Sequence, residues 1–233
     1  MNEGMNQVMS PRVVPPAWPM FRALVGVGMF CGLVIVLVYL GTLPAITKNR
    51  AEALEKAIFT VLPAATSRRT FALTDDQQFV PATGDGGPRV HAGYDADGNL
   101  VGVAIEAAGM GYADTIEILY GYAPATETVV GFQVLATKET PGLGDKIEKD
   151  PVFLGNFTAL DVRLDAARTA IVNPVVTVKS GTKTEAWQID GITGATVSSV
   201  AIGDIIAAST ARWLPVIAAE LDTLAEGAGD DES

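Results

Sequence analysis

The chain has almost none of the residues that bind metals through sulfur or imidazole. It contains one cysteine, Cys31, and one histidine, His91. A single cysteine makes no disulfide framework, no four-thiolate iron–sulfur site and no C-x-x-C-H haem attachment. A structural zinc site needs several His or Cys ligands and is excluded on the same ground. Redox chemistry in this chain therefore falls to an organic cofactor. Bases are scarce too: 16 Lys and Arg stand against 27 Asp and Glu, for a formal net charge of -11. Phosphate-backbone binding needs clustered Lys and Arg, so nucleic acid is not an expected partner. Part of the acidic excess lies at the C-terminus. Glu220, Asp222, Glu226, Asp230, Asp231 and Glu232 follow Arg212 with no base among them. They read as a solvated tail.

Charge is missing altogether from Ala23 to Leu43, "ALVGVGMFCGLVIVLVYLGTL". At about 1.5 Å per residue the run spans about 30 Å, the thickness of a bilayer's hydrocarbon core. A cleaved secretory signal has a shorter apolar region followed closely by a small-x-small site. "PAITKNR" offers no such site, so the run predicts a retained single-pass anchor in the lipid bilayer. Trp18 and Tyr39 are placed as interfacial aromatics. Cys31 reads as a small apolar residue of the span. Gly28 and Gly32 have helix-packing spacing, with chance glycines an equal alternative. Arg12 and Arg22 precede the run, and Lys48, Arg50 and Lys56 follow it. The positive-inside rule therefore does not decide orientation. The proline-rich arm from Pro11 to Pro19 has no core-forming pattern.

Beyond the span, Ala53, Leu54, Ala57, Ile58, Val61 and Leu62 recur at helical spacing, and Pro63 closes the pattern. "RVHAGYDADGNLVGVAIEAAG" predicts two strands around an Asp95–Gly98 turn, and "TIEILYGYAPATETVVGFQVLATKE" predicts two more. Together they suggest a half-buried antiparallel meander. His91 is expected at a strand surface. Asp75, Asp76 and Asp85 read as solvated loop charges. "NPVVTVKSG" and "EAWQIDGI" predict further strands, and Thr196 to about Leu224 predicts a helix that Pro215 kinks or ends. Strands and helices do not alternate regularly, so the expected class is α+β: one antiparallel sheet flanked by helices, behind a single N-terminal transmembrane helix.

Two stretches carry chemistry. "DGITGATVSS", Asp190 to Ser199, lies where a strand pattern passes into a helix pattern. Thr193 or Thr196 is expected to cap the helix. The N–H groups of a helix start carry partial positive charge and suit a phosphate. Gly194 and Ala195 would let a ligand near the backbone. Taken alone, the stretch is equally a turn and a cap. "KETPGLGDKI", Lys138 to Ile147, is the second. Pro141 fixes one φ, while Gly142 and Gly144 permit positive φ. Such a loop can lie against a planar ring and offer it backbone N–H and C=O groups, with Glu139 or Thr140 donating or accepting beside them. "GDGGPRV" lacks the strand–G-x-G-x-x-G–helix context of a nicotinamide site. No acid/base pair marks independent catalysis.

The apolar span, Gly111-Tyr112, "ETPGLG" and "DGITGATVSS", in that order, resemble the FMN-binding domain of the G subunit of the Rnf ion-translocating electron transport complex. The pattern is similar to the C subunit of the sodium-translocating NADH:quinone reductase as well. The resemblance covers roughly Ala23 to Trp213. It implies FMN joined through its phosphate to the hydroxyl of Thr196, by a separate flavin transferase. It further implies Thr193, Gly194, Ala195, Glu139, Thr140, Gly142 and Leu143 as flavin residues, with Lys179 and Asp190 as further candidates. Thr193 stands where many relatives have serine and keeps the hydroxyl. Ala136 and Thr137 stand where relatives often carry a histidine.

The resemblance implies a subunit of an ion-translocating oxidoreductase, not catalytic alone, working beside other membrane and iron–sulfur or flavin subunits. Electrons would pass between ferredoxin and NAD. The location would be a bacterial inner membrane, with the flavin domain on the periplasmic side. The expected layout is a cytoplasmic tail over 1–22, a transmembrane helix over 23–46 and a membrane-proximal helix and linker over 47–70. An FMN-binding domain over 71–215 and a helix end with acidic tail over 216–233 complete it. The short segment before the meander favours Rnf over the quinone reductase, whose corresponding chain is usually longer there. A non-redox membrane-tethered binding module is the alternative of another class.

Overall fold

The computed structural model describes residues 17–82 and 87–226. The proline-rich arm up to residue 16, Asp85 and the last acidic residues lie outside them. The chain divides into two units, one up to Arg50 and one from Ala51 onward.

Helix α1 runs from Ala17 to Val61 without a break, so the apolar run and the amphipathic segment after it form one helix. Pro44 lies inside it and does not end it. The apolar side chains of its first unit, Leu24, Met29, Phe30 and Ile35 among them, are exposed. The helix is long and apolar enough to cross a membrane, with a mean hydropathy of 2.6. A helix apolar on every face does not stay in water uncovered.

The second unit is built on a seven-stranded sheet in the order β2-β1-β3-β4-β5-β6-β7. Its strands are β1 Ser67–Leu73, β2 Phe79–Pro81, β3 Arg89–Tyr94, β4 Leu100–Met110, β5 Thr115–Ala123, β6 Thr128–Ala136 and β7 Leu160–Asp161. All pairings in it are antiparallel. The expected meander is β3 to β6. The strands β1 and β2 extend it through a stretch whose sequence shows no clear strand pattern. Helix α2, Pro151–Gly155, follows β6 and begins at Asp150, whose carboxylate accepts the N–H groups of Val152 and Phe153. Two short strands, β8 Val176–Val178 and β9 Gln188–Asp190, pair parallel in a separate sheet. Helix α3 covers Thr196–Ala219 and continues through Pro215; α4 covers Leu221–Glu226. The expected helix to Leu224 is therefore two helices broken at Glu220. The architecture is the expected α+β class.

Alternate residues of a strand face opposite sides of its sheet. On β4 and β5, Val103, Ile105, Ile116, Ile118, Tyr120 and Tyr122 belong to a core that includes Ile202, Ile206, Leu214 and Ile217 of α3. The residues between them, Ala104 and Leu119, belong to a second core with Ala57, Ile58 and Val61 of α1 and Leu62 just beyond it. The sheet is thus covered on one face by α3 and on the other by the end of α1. Although α3 is apolar enough to span a bilayer, its apolar face is spent inside this core.

His91 corrects the expectation of a surface strand residue. It is 2% exposed. Its Nδ1 lies 2.9 Å from Thr70 Oγ1 and its Nε2 lies 3.2 Å from Glu106 Oε1. The partners come from β1 and β4, and Ala104, its cross-strand neighbour, lies under α1. Burial follows from pairing that no local pattern reveals.

Gly121 and Gly131, paired across β5 and β6, let the last turn of α1 sit directly on the sheet. A Cβ on Gly131 would meet the Val61 backbone, with its Cα at 2.5 Å and its carbonyl oxygen closer still. Replacing glycine in a strand restricts the unfolded chain and stabilises by about 0.4–1 kcal/mol. Overpacking against backbone that cannot move aside costs about 1–3 kcal/mol and wins. Gly131→Ala is therefore expected to lower the unfolding midpoint of the detergent-solubilised chain; an unchanged or raised midpoint would contradict this packing.

Candidate functional site

Three tight backbone segments meet at the start of α3. The first is the β4–β5 turn, closed by the Gly111 N–H donating to the Asp114 carbonyl at 2.9 Å. The second is the loop after β6. Its Leu143 and Gly144 N–H groups both donate to the Thr140 carbonyl, at 3.1 and 3.0 Å. The third is the approach to α3, where Gly194 has φ +85°. That left-handed value favours glycine, which is why the motif carries one at this step.

Glu139 ties the three together. It is 5% exposed. One carboxylate oxygen accepts the Ala113 N–H at 2.9 Å, and the other accepts the Ser198 hydroxyl. The space around the carboxylate is cleared by two glycines. A Cβ on Gly111 would lie 2.6 Å from Glu139 Oε1, and one on Gly144 would lie 2.6 Å from Oε2. Burial by itself raises the pKa of Glu139. The Ala113 N–H, the Ser198 hydroxyl and the Tyr112 and Asp114 N–H groups together outweigh it and hold the carboxyl below its usual range. The rim is pinned by Lys138, whose ammonium is 2.5 Å from Asp114 Oδ2.

These elements enclose a cleft of about 350 Å³ lined by Tyr112, Glu139, Thr140, Leu143, Gly144, Gly194, Ala195, Thr196, Val197 and Ser198. Its volume lies in the range of small-molecule and cofactor sites. Tyr112, Leu143 and Val197 are exposed apolar or aromatic surface, of the kind a planar ring covers.

The hydroxyls of the motif have different fates. Ser198 donates to Glu139. Ser199 donates to the Ala195 carbonyl at 2.9 Å and accepts the Ile192 N–H at 3.1 Å. Both are buried. Thr193 is exposed and lines a neighbouring cavity instead. Thr196 is exposed and lines the cleft, and its hydroxyl makes no hydrogen bond among the described residues.

The expected threonine cap is not formed. The N-cap of α3 is Ala195, with no side-chain cap bond, and Thr196 is already the first helical residue. The first turn's N–H groups are left open to an acceptor from outside. The second loop also departs from expectation. Its Gly142, Leu143 and Gly144 N–H groups are satisfied internally, Gly142 by Asp145 Oδ1 at 2.6 Å. The loop therefore offers a ligand side chains and surface, not a row of free donors.

Of the residues expected at the site, Glu139, Thr140, Leu143, Gly194, Ala195 and Thr196 line one cleft. Gly142, at φ +79°, shapes the loop from outside it. Lys179 follows β8, and Asp190 is the last residue of β9. Asp190 Oδ1 accepts the Gly181 and Thr182 N–H groups at 2.7 and 3.3 Å, and the Lys179 carbonyl accepts from Thr182. Residue order alone assigned Ser198 no role at the site, and it read Gly144 as a positive-φ loop glycine, whereas its φ is not positive and it makes room for Glu139. Ser198 was within view in the motif, but its partner lies 59 positions away.

Comparison with known proteins bears on this cleft. The FMN-binding domain family matches residues 111–210. The G subunit of the ion-translocating oxidoreductase complex of Methanosarcina acetivorans is 32% identical over 190 residues, covering 78% of this chain and 87% of that one. The protein of the same name from Escherichia coli K12 is 30% identical over 183 residues, covering 76% and 83%. Among solved structures, the C subunit of the Na(+)-translocating NADH-quinone reductase from Parabacteroides distasonis superposes with a TM-score of 0.57 at 18% identity, covering 73% of this chain and 95% of that one. NqrC of Shewanella oneidensis gives 0.53 at 18% identity, covering 78% and 98%. At that identity these two structures speak for the fold.

The Glu139 tie has a pH signature. A carboxyl whose folded pKa lies below its unfolded value of about 4.3 contributes fully above that pH. The contribution disappears as pH falls through the folded pKa. Glu139→Gln is expected to cost about 1–3 kcal/mol at pH 7, because it replaces charge-assisted bonds with neutral ones. Denaturant titrations should show the gap from wild type closing below about pH 4. A gap that stays constant down to about pH 3 would contradict the assignment.

Proposed function

This chain belongs to the family of G subunits of ion-translocating oxidoreductase complexes, and on that premise we propose that it relays electrons through FMN esterified to Thr196. The observation that supports the attachment residue is the elimination among hydroxyls. Ser198 and Ser199 are buried and engaged, and Thr193 faces another cavity. Thr140 and Tyr112 also bring exposed hydroxyls to the cleft, and Thr196 is set apart from them by its place in the motif at an uncapped helix start. The residues fit the group: open N–H groups at a helix start favour a phosphate, and exposed Tyr112, Leu143 and Val197 favour a ring.

Bound FMN supplies electron transfer, and the protein supplies position and environment. In the attachment, Thr196 Oγ1 loses its proton and forms the bond to phosphorus. The flavin phosphoryl comes from a phosphoanhydride donor brought by a flavin transferase, and the donor's leaving group takes the electron pair of the broken P–O bond. The open first turn of α3 receives the non-bridging oxygens. Glu139 holds that turn against the loop after β6. Thr140, Leu143, Gly194 and Ala195 form the walls, and Gly142 shapes the loop. Lys179 and Asp190 remain candidates beside the start of α3, outside the walls of the cleft.

The wider setting rests on relatives. One of them, from Clostridium ljungdahlii, is named as the G subunit of a proton-translocating ferredoxin:NAD(+) oxidoreductase complex and is 35% identical over 102 residues. We assign this chain to the same kind of translocase, with electrons passing between ferredoxin and NAD through partner subunits. α1 is its membrane anchor, and the flavin domain lies on the periplasmic face of a bacterial inner membrane.

Co-expression with a flavin transferase is expected to add the mass of FMN less one water. Thr196→Val should abolish the adduct and Thr193→Val should keep it. An unmodified wild type, or an adduct on Thr196→Val, would contradict the proposal. Trypsin is expected to cut the flavin domain in intact spheroplasts and to spare it in sealed inverted vesicles; the reverse pattern overturns the placement.

A further inference from the structure

We propose that Lys146 is the cation that positions the flavin phosphate at Thr196. The inference rests on the reading of Thr196 as the attachment residue and assigns the phosphate a side-chain partner. Lys146 belongs to the single 3-10 turn Gly144–Glu148 that follows the cleft loop. Its ammonium lies 3.9 Å from the place a Cβ would take on Gly194. No other heavy atom outside the immediate chain neighbours comes within 4 Å of that place. The opening over the backbone two residues before Thr196 is therefore approached by one group, and that group is a cation.

The neighbouring acids do not compete for it. Asp145 is held by Lys149 at 2.7 Å and by the Gly142 N–H at 2.6 Å. Asp150 accepts two N–H groups at the start of α2. Glu139 is engaged by Ala113 and Ser198. Lys146 makes no ion pair or side-chain hydrogen bond among the described residues. It lines the cavity of about 420 Å³ that Thr193 faces, next to the cleft, together with Lys149, Gly191 and Ile192. Lys149 differs in being spent on Asp145.

A phosphodiester on Thr196 would carry one negative charge on two non-bridging oxygens. Backbone N–H groups of the first turn supply dipoles but no full charge. An ammonium is a compact point charge with three rotatable donors, and it needs no fixed fork geometry to reach such an oxygen. Its partial burial limits how far water screens the pair. Lys146 thus acts through the phosphate and stays clear of the ring, and its removal should slow attachment more than it alters the fold.

The test follows flavin incorporation into the full-length apoprotein in detergent, with purified flavin transferase and its flavin donor, by intact mass and in-gel fluorescence. Lys146→Met keeps the aliphatic stem and is expected to slow incorporation by about 10-fold or more, the scale of a lost charge-assisted bond. Lys146→Arg should restore most of the rate, and Lys56→Met, with the same change in net charge at an exposed position of α1 outside both cavities, should match wild type. Unfolding midpoints of the four proteins verify that each is folded. A Lys146→Met rate within twofold of wild type overturns the inference while leaving Thr196 in place. So does an equal loss in Lys56→Met, or a folded Lys146→Arg as slow as Lys146→Met. Absence of flavin from the wild type overturns both this inference and the Thr196 reading.

Discussion

A buried carboxylate keeps its charge only where it is paired or hydrogen-bonded; otherwise it takes up a proton. Glu139 meets that condition by drawing three segments of the chain to one point. The β4–β5 turn gives it backbone N–H groups, the α3 start gives it the Ser198 hydroxyl, and Gly111 and Gly144 give it room. The cleft is what remains between segments held in this way. The same bond sorts the hydroxyls of the motif. Once Ser198 serves Glu139 and Ser199 closes the turn before α3, Thr196 is left free beside open N–H groups.

The sheet makes that arrangement rigid. One face carries α3 and so fixes the height and direction of its first turn; Tyr120 Oη, 2.8 Å from Ser209 Oγ, anchors the middle of the helix. The parallel pair β8–β9 supports the same helix from another direction, since Thr177 Oγ1 donates to the Ser199 carbonyl at 3.2 Å. The other face carries the end of α1 on Gly121 and Gly131. The last residues of α1, Ala57, Ile58 and Val61, are part of the core of the domain that holds the cleft.

Much of this was legible in the residue order, for physical reasons. The span is visible because a bilayer demands length and the absence of charge over contiguous residues. The strands β3 to β6 are visible as apolar runs around turn signals such as Asp95–Gly98; the expected half-burial does not hold, since α3 and the end of α1 cover both faces and burial in β3 to β5 runs nearly continuously. The motif residues are visible because glycine and hydroxyls cluster at one junction. The features that were not legible depend on distant partners. β1 carries Arg68 and Arg69 and buries only Phe71 fully, so its pattern is faint until β3 pairs with it. His91 is buried by Thr70 and Glu106, each on another strand. The expected threonine cap gave way because Ser199 and Ile192 closed the turn first. The expected donors of the glycine loop are used internally, by the Thr140 carbonyl and the Asp145 carboxylate.

Under the proposed attachment, a covalent phosphate link and a preformed cleft would solve one problem: the flavin would keep a fixed place without relying on tight reversible binding. The central claim is the identity of the linking hydroxyl, and site mapping tests it most directly. Trypsin should release the segment from Thr184 to Arg212, which contains all four candidate hydroxyls of the motif. Fragmentation of that peptide from the flavin-loaded protein is predicted to place the FMN phosphoryl mass on Thr196. Finding it on Thr193, Ser198 or Ser199, or on no residue of this peptide, would contradict the account.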